Sequence, residues 1–432
     1  MSVMAFAVFC ALFLSLLFVG LPIGFVFLVP SIVYMVMTDT NLVLLGQAML
    51  QQFLKFVLLA IPLYVLAGEL MNTSGITNRI FNFAHALVGH VRGGLGHVNV
   101  IGSMIFAGMS GSAAADAAGL GRVEIKAMVE GGYRPAFAAA ISATSSTIGP
   151  IIPPSIGLVL YGAIAEVGVD WLFLAGFVPG VVLGIALMIA IYLQVLLGRE
   201  TCPLTPFPGF GALGRHFLAA APAIASPIVI VGGMVTGVFT PTEAGVIAVV
   251  IALGLGLAYR DLTLGGFVEA TMRAVRGTAS IMFILATVSC FAWVLTVEKA
   301  PDRVAELLLS MTNQTWLLML LILATLLFLG LFETASANLL IVAPILVPIA
   351  PQLGLDLVHL GVVLVFALVI GNVTPPVGVC LFIVQDITRL PLGVIVRATL
   401  PYLVAMIIAL FVVAYVPEVT LWLPKVFGYR PG

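Results

Sequence analysis

Gly108-Met-Ser-Gly-Ser-Ala-Ala-Ala-Asp116 and, 222 residues later, Gly330-Leu-Phe-Glu-Thr-Ala-Ser-Ala-Asn338 are two versions of one pattern. Each is a run of small residues, interrupted by hydroxyls, that ends in a carboxylic acid or its amide. A second pair keeps the same spacing. Ile148-Gly-Pro-Ile-Ile-Pro-Pro154 aligns without gaps on Ile370-Gly-Asn-Val-Thr-Pro-Pro376, again at an offset of 222. Shared Gly/Ala-rich composition does not produce one ungapped offset twice, so the chain reads as two homologous halves. The expected division is 1–200 and 215–432, joined by a Pro-rich linker over 201–214.

The sequence around these motifs sets the solvent. Hydrophobic residues make up 62% of the 432 and charged residues 8%, with a mean hydropathy of +1.25. A soluble domain carries about 25% charged residues, so this chain lacks the polar surface to face water on all sides. Apolar runs near the roughly 20 residues a bilayer requires recur along it, among them Trp171–Gly198, Phe217–Phe239 and Pro401–Val416. The fold class is an all-α polytopic membrane protein. Ser2–Gly20 reads as a retained first span rather than a signal peptide, because no Lys or Arg precedes Lys55. The four cysteines are isolated and form no CxxC, which argues against a disulfide framework or a zinc site. No basic patch with interleaved aromatics suggests nucleic acid. No GxxxxGK[ST] loop suggests ATP as the energy source.

Each half reads alike. Two spans come first (Val3–Val19 and Leu21–Val36; Phe217–Phe239 and Thr240–Leu257), then a polar, interfacial stretch (Thr38–Lys55; Arg260–Gly277). A third span and an amphipathic stretch follow (Arg79–Arg92; Glu298–Met311). Next comes a re-entrant helical hairpin, about 94–130 and 314–352, then a span broken at Gly-x-x-x-Pro-Pro, about 135–165 and 358–388, and a last span. Non-helical backbone at membrane depth survives only where protein buries it or it lines a wet cavity. Five spans per half is odd, so the second half is expected upside down relative to the first, the inverted-repeat plan of secondary transporters. With the N-terminus outside, twelve Lys and Arg fall on the cytoplasmic side and five outside, as the positive-inside rule requires. Both termini are then periplasmic.

The polar residues at the four breaks are the functional candidates. In the first half they are Ser110, Ser112 and Asp116 at the hairpin, with Ser145, Ser146, Thr147 and Gly149 in the broken span. In the second they are Glu333, Thr334, Ser336 and Asn338, with Gly371, Asn372 and Thr374. A sodium ion takes several hard oxygen ligands, and hydroxyls, amides and unwound carbonyls supply them. Half-helix ends favour anions at N-termini and cations at C-termini. Gly149 and Gly371 let the backbone turn, and Pro153-Pro154 and Pro375-Pro376 stop the helix from closing. The plain alternative is that small and hydroxyl residues only tighten helix packing. Asp116 is an ionisable group in an apolar hairpin, a functional candidate by default, unless it sits at a wet tip or caps a helix. Glu69, Glu243 and Asp386 are weaker candidates. Because no Arg or Lys falls in the breaks, an anionic cargo has to be neutralised by bound cations and helix ends. Gly108-Met-Ser110-Gly111 also matches the GxSG of intramembrane serine proteases. Such chemistry needs a base beside the serine, the five histidines lie in loops or near span ends, and the second half has no serine there.

Together, Gly108–Asp116, Ser145-Ser-Thr-Ile-Gly-Pro-Ile-Ile-Pro-Pro-Ser155, Phe332–Asn338 and Gly371–Pro376 resemble the large permease subunit of tripartite ATP-independent periplasmic (TRAP) transporters, over essentially the whole chain. That resemblance implies an elevator-type, sodium-coupled uptake protein of the bacterial inner membrane, with no cofactor beyond coupling sodium ions and no enzyme activity. It implies a small four-helix membrane subunit and a periplasmic solute-binding protein as separate partner chains. Its cargo is a carboxylate such as a C4-dicarboxylate, sialic acid or another sugar acid. One sodium site maps onto Ser110–Asp116 with Ser145–Gly149, the other onto Thr334–Asn338 with Gly371–Thr374. With the first repeat beginning almost at Met1, no fused small subunit is expected. A stand-alone divalent-anion/sodium symporter shares the architecture but usually carries Ser-Asn-Thr at its tips, unlike the Ser-Gly-Ser and Glu-Thr-Ala-Ser here.

Overall fold

The computed structural model describes residues 2–200, 202–203, 206–312 and 314–430. Thr201, Leu204 and Thr205 of the expected linker lie outside the described residues. Every regular element among those described is a helix, as a chain that must satisfy its own backbone in lipid requires. The first half runs α1 (Ser2–Val19), α2 (Ile23–Met37), α3 (Val43–Phe53), α4 (Ala60–Thr73), α5 (Ile76–Val88), α6 (Gly94–Ser110), α7 (Ala113–Ala118), α8 (Leu120–Glu130), α9 (Pro135–Ser145), α10 (Ile156–Ala165) and α11 (Val169–Leu196). The second runs α12 (Phe210–Val235), α13 (Pro241–Ala258), α14 (Leu264–Val297), α15 (Ala300–Met311), α16 (Thr315–Gly330), α17 (Ala335–Ile349), α18 (Leu357–Gly371), α19 (Val379–Thr388), α20 (Leu392–Tyr415) and α21 (Pro417–Val426). Among the described residues six helices are long and apolar enough to cross a membrane, α11 and α14 the longest of them. The chain is a multi-pass membrane protein.

From the hairpins onward the elements recur in step. α6 and α16, α7 and α17, α9 and α18, α10 and α19, and α11 and α20 begin within one residue of the 222-residue offset. The local causes recur too. Ser112 and Thr334, each one residue before its helix, accept from the backbone N–H three residues on, both at 3.4 Å. Both Pro-Pro bonds are cis.

Two departures have physical causes. In the first half the interfacial stretch and the third span are separate helices, α3 and α4, parted by the turn Leu54–Leu59; in the second they fuse into the 34-residue α14. No proline or strand-forming run interrupts 264–297 to stop the helix. The linker is also shorter than the sequence suggested. α12 starts at Phe210, because Gly209, at φ 90, makes the turn and helix-forming Ala212 and Leu213 follow directly.

The two halves interleave. α4 packs against α13 and α14, α2 against α14, α10 against α17, α9 against α19 and α20, and α11 against α20. One hydrophobic core therefore draws on both. Phe9, Phe13 and Phe27 close around Phe291 with ring centroids 4.9–5.1 Å apart. Nearby, the Tyr34 hydroxyl donates to the Glu298 carboxylate at 2.6 Å. A charge-assisted bond of this kind contributes about 1.5–3 kcal/mol and joins α2 to the end of α14.

Candidate functional site

The first hairpin turns where α6 ends at Ser110. Gly111 follows at φ 59, and a Cβ there would lie 2.5 Å from the Pro154 carbonyl oxygen, so the tip needs glycine on both counts. That contact seats the tip on the break of its own broken span. Gly149 completes the seat, since a Cβ on it would stand 3.4 Å from the Ser112 carbonyl. The tip also touches the surrounding helices: a Cβ on Gly68 of α4 would be 3.2 Å from Ser110 Cα, and one on Gly108 would overlap Pro227 of α12.

The second hairpin closes on itself. The Asn338 side chain donates to the Leu329 carbonyl at 3.0 Å and the Glu333 carbonyl at 3.1 Å, satisfying acceptors that the end of α16 leaves open. The Val377 N–H donates to the Leu331 carbonyl at 3.2 Å, tying the tip to its broken span, and within the break the Cys380 N–H donates to the Asn372 carbonyl at 2.9 Å. Gly330 and Gly371 cross backbone to backbone, and a Cβ on Gly371 would collide with the Gly330 carbonyl.

Between the two tips lies a cavity of about 170 Å³. Its polar walls are Ser112 from the first hairpin and Thr334, Ser336 and Asn372 from the second half; no Lys, Arg, Asp or Glu lines it. Four helices open onto it with their first residues: α7 at Ala113, α10 at Ile156, α17 at Ala335 and α19 at Val379. The opening N–H groups of a helix have no intrahelical acceptor and carry partial positive charge. The cavity is therefore lined by helix N-termini of positive polarity and has no cationic side chain among its lining residues.

The other candidates sit around this pocket rather than in its wall. Ser145 is fully buried, accepts from the Ser103 hydroxyl at 3.1 Å and donates to Asn99 Oδ1 at 2.6 Å; Asn99 donates onward to Ser142 at 2.5 Å. Ser146, Thr147 and Thr374 turn their hydroxyls back to carbonyls three or four residues earlier. Glu333 accepts from the Thr334 N–H at 3.1 Å. Among the described residues buried Ser110 has no hydrogen-bond partner for its hydroxyl, and neither oxygen of Asp116, 1% exposed, has one. A second buried carboxylate, Glu124, lies within electrostatic reach of Asp116 and leaves Oε1 unpartnered.

Glu124, Asn99, Ser103 and Ser142 escaped the sequence reading. The one available signal was Asn99 and Ser103, four apart on an otherwise apolar helix and so on one face. The weaker candidates part ways: Glu69 pairs with Arg273 at 2.8 Å, Asp386 pairs with Arg389 at 2.7 Å, and Glu243 caps the start of α13. No histidine hydrogen bonds to Ser110; the buried His97 and His359 are committed to Arg92, Thr420 and Ala414. Among the described residues no three His, Cys, Asp or Glu gather to hold a metal.

Residues 10–419 match the family model described as "Tripartite ATP-independent periplasmic transporter, DctM component". The chain belongs to that family. It is 42% identical over 421 residues to the sialic acid TRAP transporter large permease protein SiaM of Vibrio cholerae, covering 96% of this chain and 98% of that one. It is 39% identical over 378 residues to the C4-dicarboxylate TRAP transporter large permease protein DctM of Pseudomonas aeruginosa, covering 86% and 87%. In fold it is similar to the crystal structure of the Alcanivorax borkumensis YdaH transporter, with TM-score 0.60, 14% identity and 89% of each chain covered. The protein is thus a TRAP transporter large permease subunit and not an enzyme, which disposes of the GxSG protease reading. Membership implies a small membrane subunit and a periplasmic binding protein as partners.

Proposed function

We propose that this permease subunit takes up a carboxylate solute, driven by sodium, by moving the pocket between the hairpin tips across the bacterial inner membrane. The observation that carries the reading is the convergence of four helix N-termini on a pocket with no cationic side chain. Helix ends of this polarity attract a carboxylate, and bound cations supply the remaining countercharge. The matching helix C-termini, at Ser110, Ser145, Gly330 and Gly371, offer carbonyls and hydroxyls for sodium beside each tip. One sodium site takes Ser110–Asp116 with Ser145–Gly149, the other Thr334–Asn338 with Gly371–Thr374. In this scheme the two halves are inverted repeats, hairpins and broken spans move as an elevator, and both termini are periplasmic. Sialic acid, other sugar acids and C4-dicarboxylates are the cargo classes, in keeping with the names of the relatives above.

The test is the melting temperature of the purified protein in sodium against potassium at equal ionic strength, for the parent, Asp116→Ala and Asn372→Ala. A ligand bound only by the folded state at a hundredfold excess over Kd stabilises by about 2.7 kcal/mol. A sodium-specific rise is expected, reduced in each variant. Identical curves in the two salts would remove sodium from the scheme.

A further inference from the structure

Away from the transport pocket, at the end of the molecule where α9 and α20 begin and α11 stops, lies a second cavity of about 470 Å³. Three guanidinium groups face it, Arg134, Arg199 and Arg397, against one carboxylate, Glu200. Arg134 is spoken for: it donates to Glu200 through Nε at 2.8 Å and through Nη2, and to the Arg199 carbonyl at 2.9 Å. Among the described residues Arg199 and Arg397 form no ion pair, and both are exposed. Two positive charges therefore converge on one cavity without a protein counter-ion. The openings of α9 and α20 add the partial positive charge of two helix N-termini.

A separate observation says that something polar is missing. Tyr402 forms part of the wall, is 1% exposed, and among the described residues its hydroxyl has no hydrogen-bond partner. A buried donor without an acceptor is rare in a folded protein, and this one stands within electrostatic reach of Arg134 and Glu200. The surface beyond the cavity is apolar. Ile185, Ile189, Leu193 and Leu196 on α11 are 46–55% exposed, at spacings of three and four. Leu400, Val404 and Ile408 on α20 are 51–58% exposed at a spacing of four. Each helix thus carries a stripe leading from the arginines into the hydrocarbon.

We infer that this cavity binds the phosphate headgroup of an anionic phospholipid, with the acyl chains lying along α11 and α20. Arg199 and Arg397 pair with the phosphodiester, and Tyr402 donates its unused O–H to a headgroup oxygen. Basic clusters at the ends of membrane spans attract anionic lipid in this way, and guanidinium binds phosphate in a bidentate fashion. Glu200 fits the same picture. It immobilises Arg134, so that guanidinium shapes the site instead of competing for the headgroup. The site braces the point where the first half ends and the connection to α12 leaves, and it holds independently of which ion or solute the permease moves.

The test is native mass spectrometry and thermal melting of the purified full chain, delipidated and then supplied with phosphatidylglycerol, phosphatidylcholine or inorganic phosphate. Phosphatidylglycerol should be retained at least fivefold better than phosphatidylcholine and should alone raise the melting temperature. Arg199→Gln with Arg397→Gln should abolish that preference, Tyr402→Phe should weaken it, and Arg260→Gln, at a different helix end, should leave it intact. Equal retention of the two lipids overturns the proposal, as does a double variant that binds like the parent. A melting rise reproduced in full by inorganic phosphate overturns the lipid assignment in favour of a free anion. Because Tyr402→Phe keeps the ring and its packing, it reads the headgroup contact even if the double variant folds poorly.

Discussion

The two hairpins occupy equivalent places in the sequence and are held by opposite means. The first is packed by its surroundings: Gly108 meets Pro227 on α12, Gly68 of α4 abuts Ser110, and Gly111 lies under Pro154. Its inner face carries two buried carboxylates with unpartnered oxygens. The second is closed from within by the Asn338 amide and seated on its broken span by the glycine crossing at Gly330 and Gly371. Asp116 and Asn338 differ by one functional group, yet an amide donates and a carboxylate only accepts. Asn338 can therefore stitch two carbonyls together, whereas the Asp116 oxygens find no hydrogen-bond partner among the described residues. A single isosteric exchange between the repeats thus changes which hydrogen bonds a tip can make.

The exchange itself is the sharpest way to break this contrast. Asn338→Asp sets an acceptor-only group against the Leu329 and Glu333 carbonyls and should cost about 3–5 kcal/mol, the penalty of an uncompensated buried charge. Asp116→Asn replaces an acceptor oxygen that no described residue satisfies with an amide NH2. It should leave the sodium-free melting temperature unchanged or higher while erasing the sodium-dependent rise. Should both variants melt alike in sodium-free buffer, the two tips are held the same way after all.

Next in size is the glycine pair. Gly371→Ala drives a methyl into the Gly330 backbone and should cost about 1–3 kcal/mol through overpacking. Gly149→Ala meets nothing nearer than 3.2 Å, and the rotamer-free alanine gains about as much from reduced chain entropy as it loses in contact. Urea melts of the two variants in one detergent decide between them, and a larger loss at Gly149 would contradict the closer backbone approach at Gly371. The helix caps should differ least. Ser112→Ala and Thr334→Ala each remove one long hydrogen bond and should each cost about 0.5 kcal/mol, the low end for an N-cap. A clearly larger loss at either site would mean that its hydroxyl has a second task.

What the sequence disclosed follows from which signals are local. The hairpin tips and the Pro-Pro breaks were legible because glycine, proline and short hydroxyl residues act on the backbone where they stand. The repeat spacing carried those breaks from one half to the other. The chain Ser103–Ser145–Asn99–Ser142 was not legible, since it needs α6 and α9 side by side, and single polar residues in apolar helices do not name their partners. Glu124 was hidden for the same reason: on α8 it reads as one charge among Arg122, Lys126 and Glu130, and only packing against α6 buries it. The fusion into α14 was missed because polar residues around Arg260–Gly277 suggested a separate interfacial helix, whereas nothing in the backbone required a stop.

That fusion has a mechanical meaning. At about 1.5 Å per residue, the 34 residues of α14 span roughly 50 Å, longer than a straight crossing of ~30 Å of hydrocarbon requires. Its counterpart in the first half is jointed at Leu54–Leu59, and Lys55 latches the joint by donating to the Ala163 carbonyl at the far end of α10 at 2.9 Å. One side of the frame is a single continuous helix, whereas the other has a turn that packs against α10 and is tied by the Lys55 ammonium to that helix, which opens onto the pocket.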